Sequence, residues 1–255
     1  MRAARFLLLV LVAASPLAGA DDLWLEAAGA ESSETGSRVA VRRSFDAGGD
    51  TTITAGLSQF RFGTAEWTLL EGGFSRRIGD RGIVRASAEV GPGRIDGDYF
   101  RYRKAAVSGT VLMTQRWSAE LSDTYVNIDD TVGHVVGLSV TRAFSNGLAL
   151  TLNGVTSAGG IDSRQLGAKF RIDRRFSILG GYYGGETRDP VLLNEFGTDF
   201  GEKVVDLRQA YVGVGVPIGR YTLLTVFDVL ELDDVTRREL TLVLQIPLGS
   251  RSNAR

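Results

Sequence analysis

From about residue 22 to residue 248, apolar and polar side chains alternate with a period of two, and a helical period of 3.6 is hard to find anywhere along that stretch. Leu240, Leu242, Leu244, Ile246 and Leu248 alternate with Thr241, Val243, Gln245 and Pro247. Leu148, Leu150 and Leu152 oppose Ala149, Thr151 and Asn153, and Leu166, Ala168, Phe170 and Ile172 oppose Gln165, Gly167, Lys169 and Arg171. The same pattern recurs at Val84–Val90, Trp117–Ser122 and Ile53–Ser58. A chain patterned in this way folds as strands with one apolar and one polar face, so the expected class is all-β.

Turn signals cut the pattern into hairpins. Short connections are expected near 47–50, 78–81, 114–116, 144–147, 173–175 and 217–220. Longer or more polar ones are expected at 31–37, 61–65, 92–98, 127–131, 157–162, 187–202 and 232–235. Two kinds of connection therefore alternate, as in an antiparallel up-and-down barrel. The breaks leave about 14 strands, from one near 22–30 to one near 238–248, an even number that lets both ends of the sheet meet on one side. The first strand and the region 94–104 are the least sharply patterned, and a barrel of about 12 strands is the alternative count.

The segment before the strands reads differently. Arg2 and Arg5 precede an apolar run from Phe6 to Ala14, followed by the small residues Ala18-Gly19-Ala20. Residues 1–20 are expected to be a signal peptide, 21–248 a single barrel domain, and 249–255 a polar C-terminal tail. The chain contains no cysteine, which excludes a disulfide scaffold and thiolate metal sites. Its 29 basic and 30 acidic side chains nearly balance, so no nucleic-acid partner is expected. After residue 20 no apolar run is long enough for a transmembrane helix, which leaves strands as the route into a membrane.

Alternation reveals two faces but not which of them is inside. Aromatic residues cluster beside the short turns (Phe45, Phe74, Trp117, Phe144, Phe176 and Tyr221), and a second set lies toward the other ends (Phe60, Trp67, Tyr99, Tyr102, Tyr125 and Tyr182). Two such rows suit the girdles at the two edges of a bilayer. Small or aliphatic side chains fill the strand middles between them on one face. Charges recur on the other, so the apolar face is expected to meet lipid and the charged face to line a wet lumen. Arg43 runs against the pattern, because it shares the apolar face with Val39, Val41 and Phe45, but a position next to a turn lets it snorkel.

The segments just described, with the final strand Leu240-Thr-Leu-Val-Leu-Gln-Ile-Pro-Leu248, resemble a compact bacterial outer-membrane β-barrel, and within that class the chain is most similar to the YaiO-type barrels. Members of the wider class usually end in an aromatic residue, whereas this strand ends at Leu248 and continues into the polar tail. The resemblance implies the bacterial outer membrane as location. Outer-membrane lipids, lipopolysaccharide and the barrel-assembly machinery are then the implied partners.

The chemistry-bearing residues fit a conduit better than a catalyst. Arg42, Glu71, Arg85, Glu89, Lys104, Glu120, Lys169 and Arg171 are expected to line the lumen and supply its field. The only histidine, His134, shares parity with Val136 and Leu138 and so faces lipid or the rim. Carboxylates such as Glu71, Glu89, Glu120 and Asp228 are read as paired lining, and Asp96, Asp98, Asp129, Asp130, Asp162, Asp233 and Asp234 as solvated turn residues. The glycine-rich Gly180–Gly185 precedes no helix and relieves crowding in a curved strand. No cofactor or metal is expected. In the connection 187–202, Phe196 and Phe200 are expected to fold against the mouth; a fully exposed loop is the alternative. The expected function is a narrow passive channel for small polar or saccharide solutes. A non-conducting envelope scaffold or assembly partner is the alternative, followed by an outer-membrane enzyme or a soluble periplasmic β protein.

Overall fold

The protein is described by a computed structural model covering residues 21–32, 35–128, 131–159, 162–188, 204–233 and 235–248. Fourteen strands follow one another: β1 (Asp22–Glu31), β2 (Thr35–Gly48), β3 (Thr51–Phe62), β4 (Ala65–Ile78), β5 (Gly82–Ile95), β6 (Asp98–Leu112), β7 (Trp117–Ile128), β8 (Thr131–Ala143), β9 (Leu148–Gly159), β10 (Asp162–Asp173), β11 (Ser177–Arg188), β12 (Val205–Ile218), β13 (Tyr221–Leu232) and β14 (Val235–Pro247). Each pairs antiparallel with its sequence neighbours, and β1 pairs with β14 to close the barrel. Closure runs from Asp22 opposite Pro247 to Glu31 opposite Arg238, extended by the Leu248 amide donating to the Asp21 carbonyl at 2.7 Å. No sheet edge is left to aggregate.

Both ends of the strand series lie at one end of the barrel, called here the terminal end; β11 ends and β12 begins at the other, the loop end. The expected contrast in loop length is largely absent. Gly63-Thr64 joins β3 to β4, and Asp96-Gly97 joins β5 to β6 with φ of 51° and 98°. Two successive positive φ values make the tight hairpin turn whose twist matches its strands. The polar composition of 61–65 and 92–98 suggested loops; instead the strands run on as paired ladder to the last residues. The expected signal peptide, the tail 249–255, Asp129, Asp130, Asp234, Phe196 and Phe200 lie outside the described residues.

Orientation is reversed from that of a soluble barrel. Val41, Leu57, Leu70, Leu121, Leu138, Leu152 and Leu242 stand exposed on the outer wall, while Ser44, Ser58, Thr151, Asp228, Arg237 and Glu239 are buried inside. An exposed apolar wall around a closed sheet is the signature of a barrel solvated by acyl chains. At the terminal end the outward aromatics form a belt, and arginines lie over their rings: Arg43 on Phe45 at 4.6 Å, Arg142 on Phe144 at 4.7 Å and on Trp117 at 5.3 Å, and Arg220 on Tyr221 at 5.1 Å. Arg43 thus lies outward, as expected, with its charge also 3.9 Å from Asp21.

The second belt is only partly real. Tyr99 and Tyr182 are exposed, but Phe60, Trp67 and Tyr102 are inside the barrel and buried. Parity decides this: Phe60 is two residues from the inward Ser58, and Trp67 is four from the inward Glu71, so nearness to the loop end does not put them on the lipid side. With Leu69, Phe100 and Val126 they make a dry apolar cluster on the inner wall, in which Trp67 lies 5.7 Å from Phe60 and 5.9 Å from Phe100. A second such cluster holds Val205, Leu207, Leu230 and Leu232.

One outward residue breaks the aliphatic pattern expected for the strand middles. Asp123 lies between Val107 and Val136 on the outer wall, with an oxygen 3.4 Å from Nδ1 of His134, whose ring is 5.4 Å from that of Tyr125. Six residues above Trp117 on a tilted strand, it stands about 15 Å into an apolar band about 25 Å tall. Asp123→Leu is therefore expected to raise the unfolding free energy by about 1–2 kcal/mol in urea titrations of the barrel folded in phospholipid. An unchanged midpoint would mean that acyl chains do not surround this position.

Candidate functional site: the lumen

The eight residues singled out from sequence all carry the inward parity of their strands, and the register sorts them. Glu89 faces Lys104 directly across β5 and β6, with Nζ donating to the carboxylate at 2.8 Å. The other two pairings skip a strand. Arg42 on β2 reaches across β3 to Glu71 on β4 as a two-pronged contact, Nη2 donating to Oε1 at 3.0 Å and Nε to Oε2. It crosses at Gly56, where a Cβ would sit 2.8 Å from the Arg42 Cγ; the glycine leaves the path open. Likewise Arg85 on β5 reaches over β6 to Glu120 on β7 at 2.9 Å, with Thr110 bonded to both partners. Arg171 turns toward the terminal end, to Asp173 at 2.7 Å. Lys169 has no ion-pair or hydrogen-bond partner among the described residues.

A second charged group was only partly visible in the sequence. Arg42 also donates to Glu26 at 2.6 Å, and Arg38 lies 3.1 Å from the same carboxylate. On β13 and β14, Asp228 and Glu239 stand directly opposite one another. Arg237 lies 3.3 Å from Glu239, Thr241 donates to Glu239 at 2.8 Å, and Gln209 donates to Asp228 at 2.8 Å. Glu239 and Asp228 carried a parity signal; Glu26, Arg38 and Arg237 were missed, although each sits an even number of residues from an inward neighbour.

These networks divide the interior. The Arg237 and Glu239 side chains are 1% exposed, whereas Arg85 and Glu120 are 32% and 37% exposed although they too point inward. Their inward neighbours on β7 to β9 are small and polar, among them Ser118, Ser122, Ser139, Thr141 and Asn153. Dry charge networks thus fill the wall from β12 round to β4, and the apolar cluster extends along the loop-end half of the wall to β7, whereas nearer the terminal end of β5 to β7 the inward charges stay partly exposed among small polar side chains.

His134 is on the outer wall beside Asp123 and Tyr125, remote in parity from the lumen carboxylates. Among the described residues, no group of three or more His, Cys, Asp or Glu side chains could hold a metal ion. Asp96 and Asp233 adopt positive φ in turns. Gly180 and Gly181 lie where aromatic rings close in, next to Phe170 and Tyr211 respectively, in keeping with relief of crowding.

No protein-family model and no curated protein matches the sequence. Solved structures do match the fold. The chain is similar to the CymD monoaromatic hydrocarbon channel, with a TM-score of 0.61 and 8% identity over 89% of this chain and 87% of that one. It is also similar to a bacterial polysaccharide outer membrane secretin, at 0.53 and 8% over 90% and 99%. The KdgM porin aligns at 0.48 and 7% over 89% and 99%. At such identities the likeness is one of architecture. The protein is a barrel of the bacterial outer-membrane type, with its oily wall outward.

Proposed function

We propose that the barrel is a passive channel of the bacterial outer membrane for small polar solutes, saccharides among them. The observation that carries this reading is the lining of β5 to β7, where Arg85, Glu89 and Glu120 remain partly exposed inside a closed wall, between small hydroxyl side chains. Such a path gives a solute hydrogen bonds in place of its water without holding it in any one place, as conduction requires. Arg42, Glu71, Arg85, Glu89, Lys104, Glu120, Lys169 and Arg171 then act as lining. Within the outer-membrane class we assign the chain to the YaiO-type barrels on its single-domain size and strand pattern. Lipopolysaccharide and the barrel-assembly machinery are the partners this location supplies.

A second reading, a non-conducting scaffold, is favoured by the dry apolar clusters on the inner wall toward the loop end. Planar-bilayer recording separates the two. The purified barrel, checked for folding by heat-modifiable gel migration, is expected to give discrete conductance steps. Arg85→Ala with Glu120→Ala, which removes a strand-skipping bridge from the partly exposed lining, is expected to raise step size by roughly two-fold. A folded barrel that stays silent would overturn the channel reading.

A further inference from the structure

Lys169 points into the lumen without an ion-pair or hydrogen-bond partner of its own among the described residues, and what surrounds it is unusual. On β9 it faces Thr151, whose hydroxyl is held at 2.8 Å from that of Thr141; on β11 it faces Gly181. Gly181 in turn faces Tyr211 on β12, and one inward row away Gly167 faces Tyr183. Both glycines are covered by rings. A Cβ on Gly181 would stand 2.7 Å from the Tyr211 ring, and one on Gly167 would stand 2.3 Å from the Tyr183 ring. The two phenols therefore lie flat over side-chain-free backbone, leaning toward β10, with centroids 6.2 Å apart and planes at 17°. A lysine ammonium borders a flat aromatic platform near mid-depth in the lumen.

The carboxylates of the surrounding lining are each engaged by another partner. Glu120 is engaged by Arg85 and Thr110, Glu89 by Lys104, and Asp173 by Arg171. Paired charges cancel at the distances that matter to a passing ion, so the field left on this wall is positive, concentrated by low-dielectric surroundings. Pairing removes most of the lining charge from play, and the excess of Asp228 and Glu239 over Arg237 is sealed in the dry wall, which leaves Lys169 as the charge without a partner on the β9 to β11 lining.

We propose that Lys169, Tyr183 and Tyr211 form a binding step for small organic anions, solutes that carry a carboxylate beside a flat hydrocarbon face, and that Lys169 gives the pore a preference for anions. The inference rests on the channel reading and adds its selectivity. An ammonium recognises the carboxylate as a point charge, while the stacked phenols take the hydrocarbon face of a sugar ring or an aromatic acid. Binding of this kind is weak enough to release, which suits passage.

The test uses the full-length barrel in planar bilayers under a KCl gradient, with correct folding of each variant checked by heat-modifiable migration. The wild type is expected to show a reversal potential on the chloride side. Lys169→Gln moves it toward zero, and Lys169→Arg keeps it. Glucuronate and benzoate, added in turn, are expected to reduce the wild-type current several-fold more than glucose does, and to lose that advantage in Lys169→Gln. Tyr183→Leu with Tyr211→Leu weakens the block while leaving the reversal potential in place. A block by glucuronate alone marks acidic sugars as the source of the carboxylate, and a block by benzoate alone marks aromatic acids; either supports the site. A conducting pore whose selectivity is unchanged in Lys169→Gln would overturn this inference and leave the channel reading intact, whereas a silent wild type would overturn both.

Discussion

Arg237→Met is expected to destabilise the barrel by about 3–5 kcal/mol. Arg237 lies 3.3 Å from Glu239, and both side chains are 1% exposed. Asp228 stands directly across the ladder from Glu239 and is equally buried. Removing the cation leaves two carboxylates side by side in a dry interior, a like-charge pair in a place where water does not screen it. Methionine nearly preserves volume, so the loss reports charge and not a cavity. The decisive control adds Asp228→Asn and Glu239→Gln to Arg237→Met; neutralising all three groups is expected to restore most of the stability, because the cost of the single change is the uncompensated charge. Urea unfolding in phospholipid vesicles measures both. Equal stability of the single variant and the wild type would show that water reaches this network.

The second large effect tests which wall faces lipid, using adjacent residues of β8. Leu138 is 55% exposed on the outer wall, beside Leu121 on β7. Ser139 points inward, opposite Glu120 on β7 and Asn153 on β9. Leu138→Arg is expected to cost about 2–4 kcal/mol, the penalty for arginine near the bilayer midplane. Ser139→Arg meets water and a carboxylate and is expected to cost at most about 1 kcal/mol. It should also lower the conductance by narrowing the path. The same two substitutions with their costs exchanged would refute an outward apolar wall, since the residues differ by one position and their environments by the whole thickness of the sheet.

Period-two patterning was enough to establish strands, because a strand presents successive side chains to opposite faces regardless of what it packs against. Parity also groups Arg42, Glu71, Arg85, Glu89, Lys104, Glu120, Lys169 and Arg171 on one face from the sequence alone. Where parity was set aside, the reading failed. Phe60, Trp67 and Tyr102 were placed in a lipid girdle for their nearness to strand ends, although each stands an even number of residues from an inward neighbour. Asp123 shared the parity of Leu121 and was passed over. Loop lengths at 61–65 and 92–98 were overestimated because polar residues continue the ladder beyond the apolar band, where composition no longer distinguishes strand from loop.

Local sequence therefore determined the strands and the parity that sorts their side chains into two faces, both of which follow from steric alternation and turn chemistry along the chain. Closure, orientation and pairing had to wait for the fold. Arg42 meets Glu71 only because Gly56 lies between them on a third strand, and Gln245 meets Asp22 only because β14 closes the barrel onto β1. Such contacts depend on register between segments far apart in sequence, and Coulomb interactions fall off with distance in space, a quantity that no spacing along the chain contains.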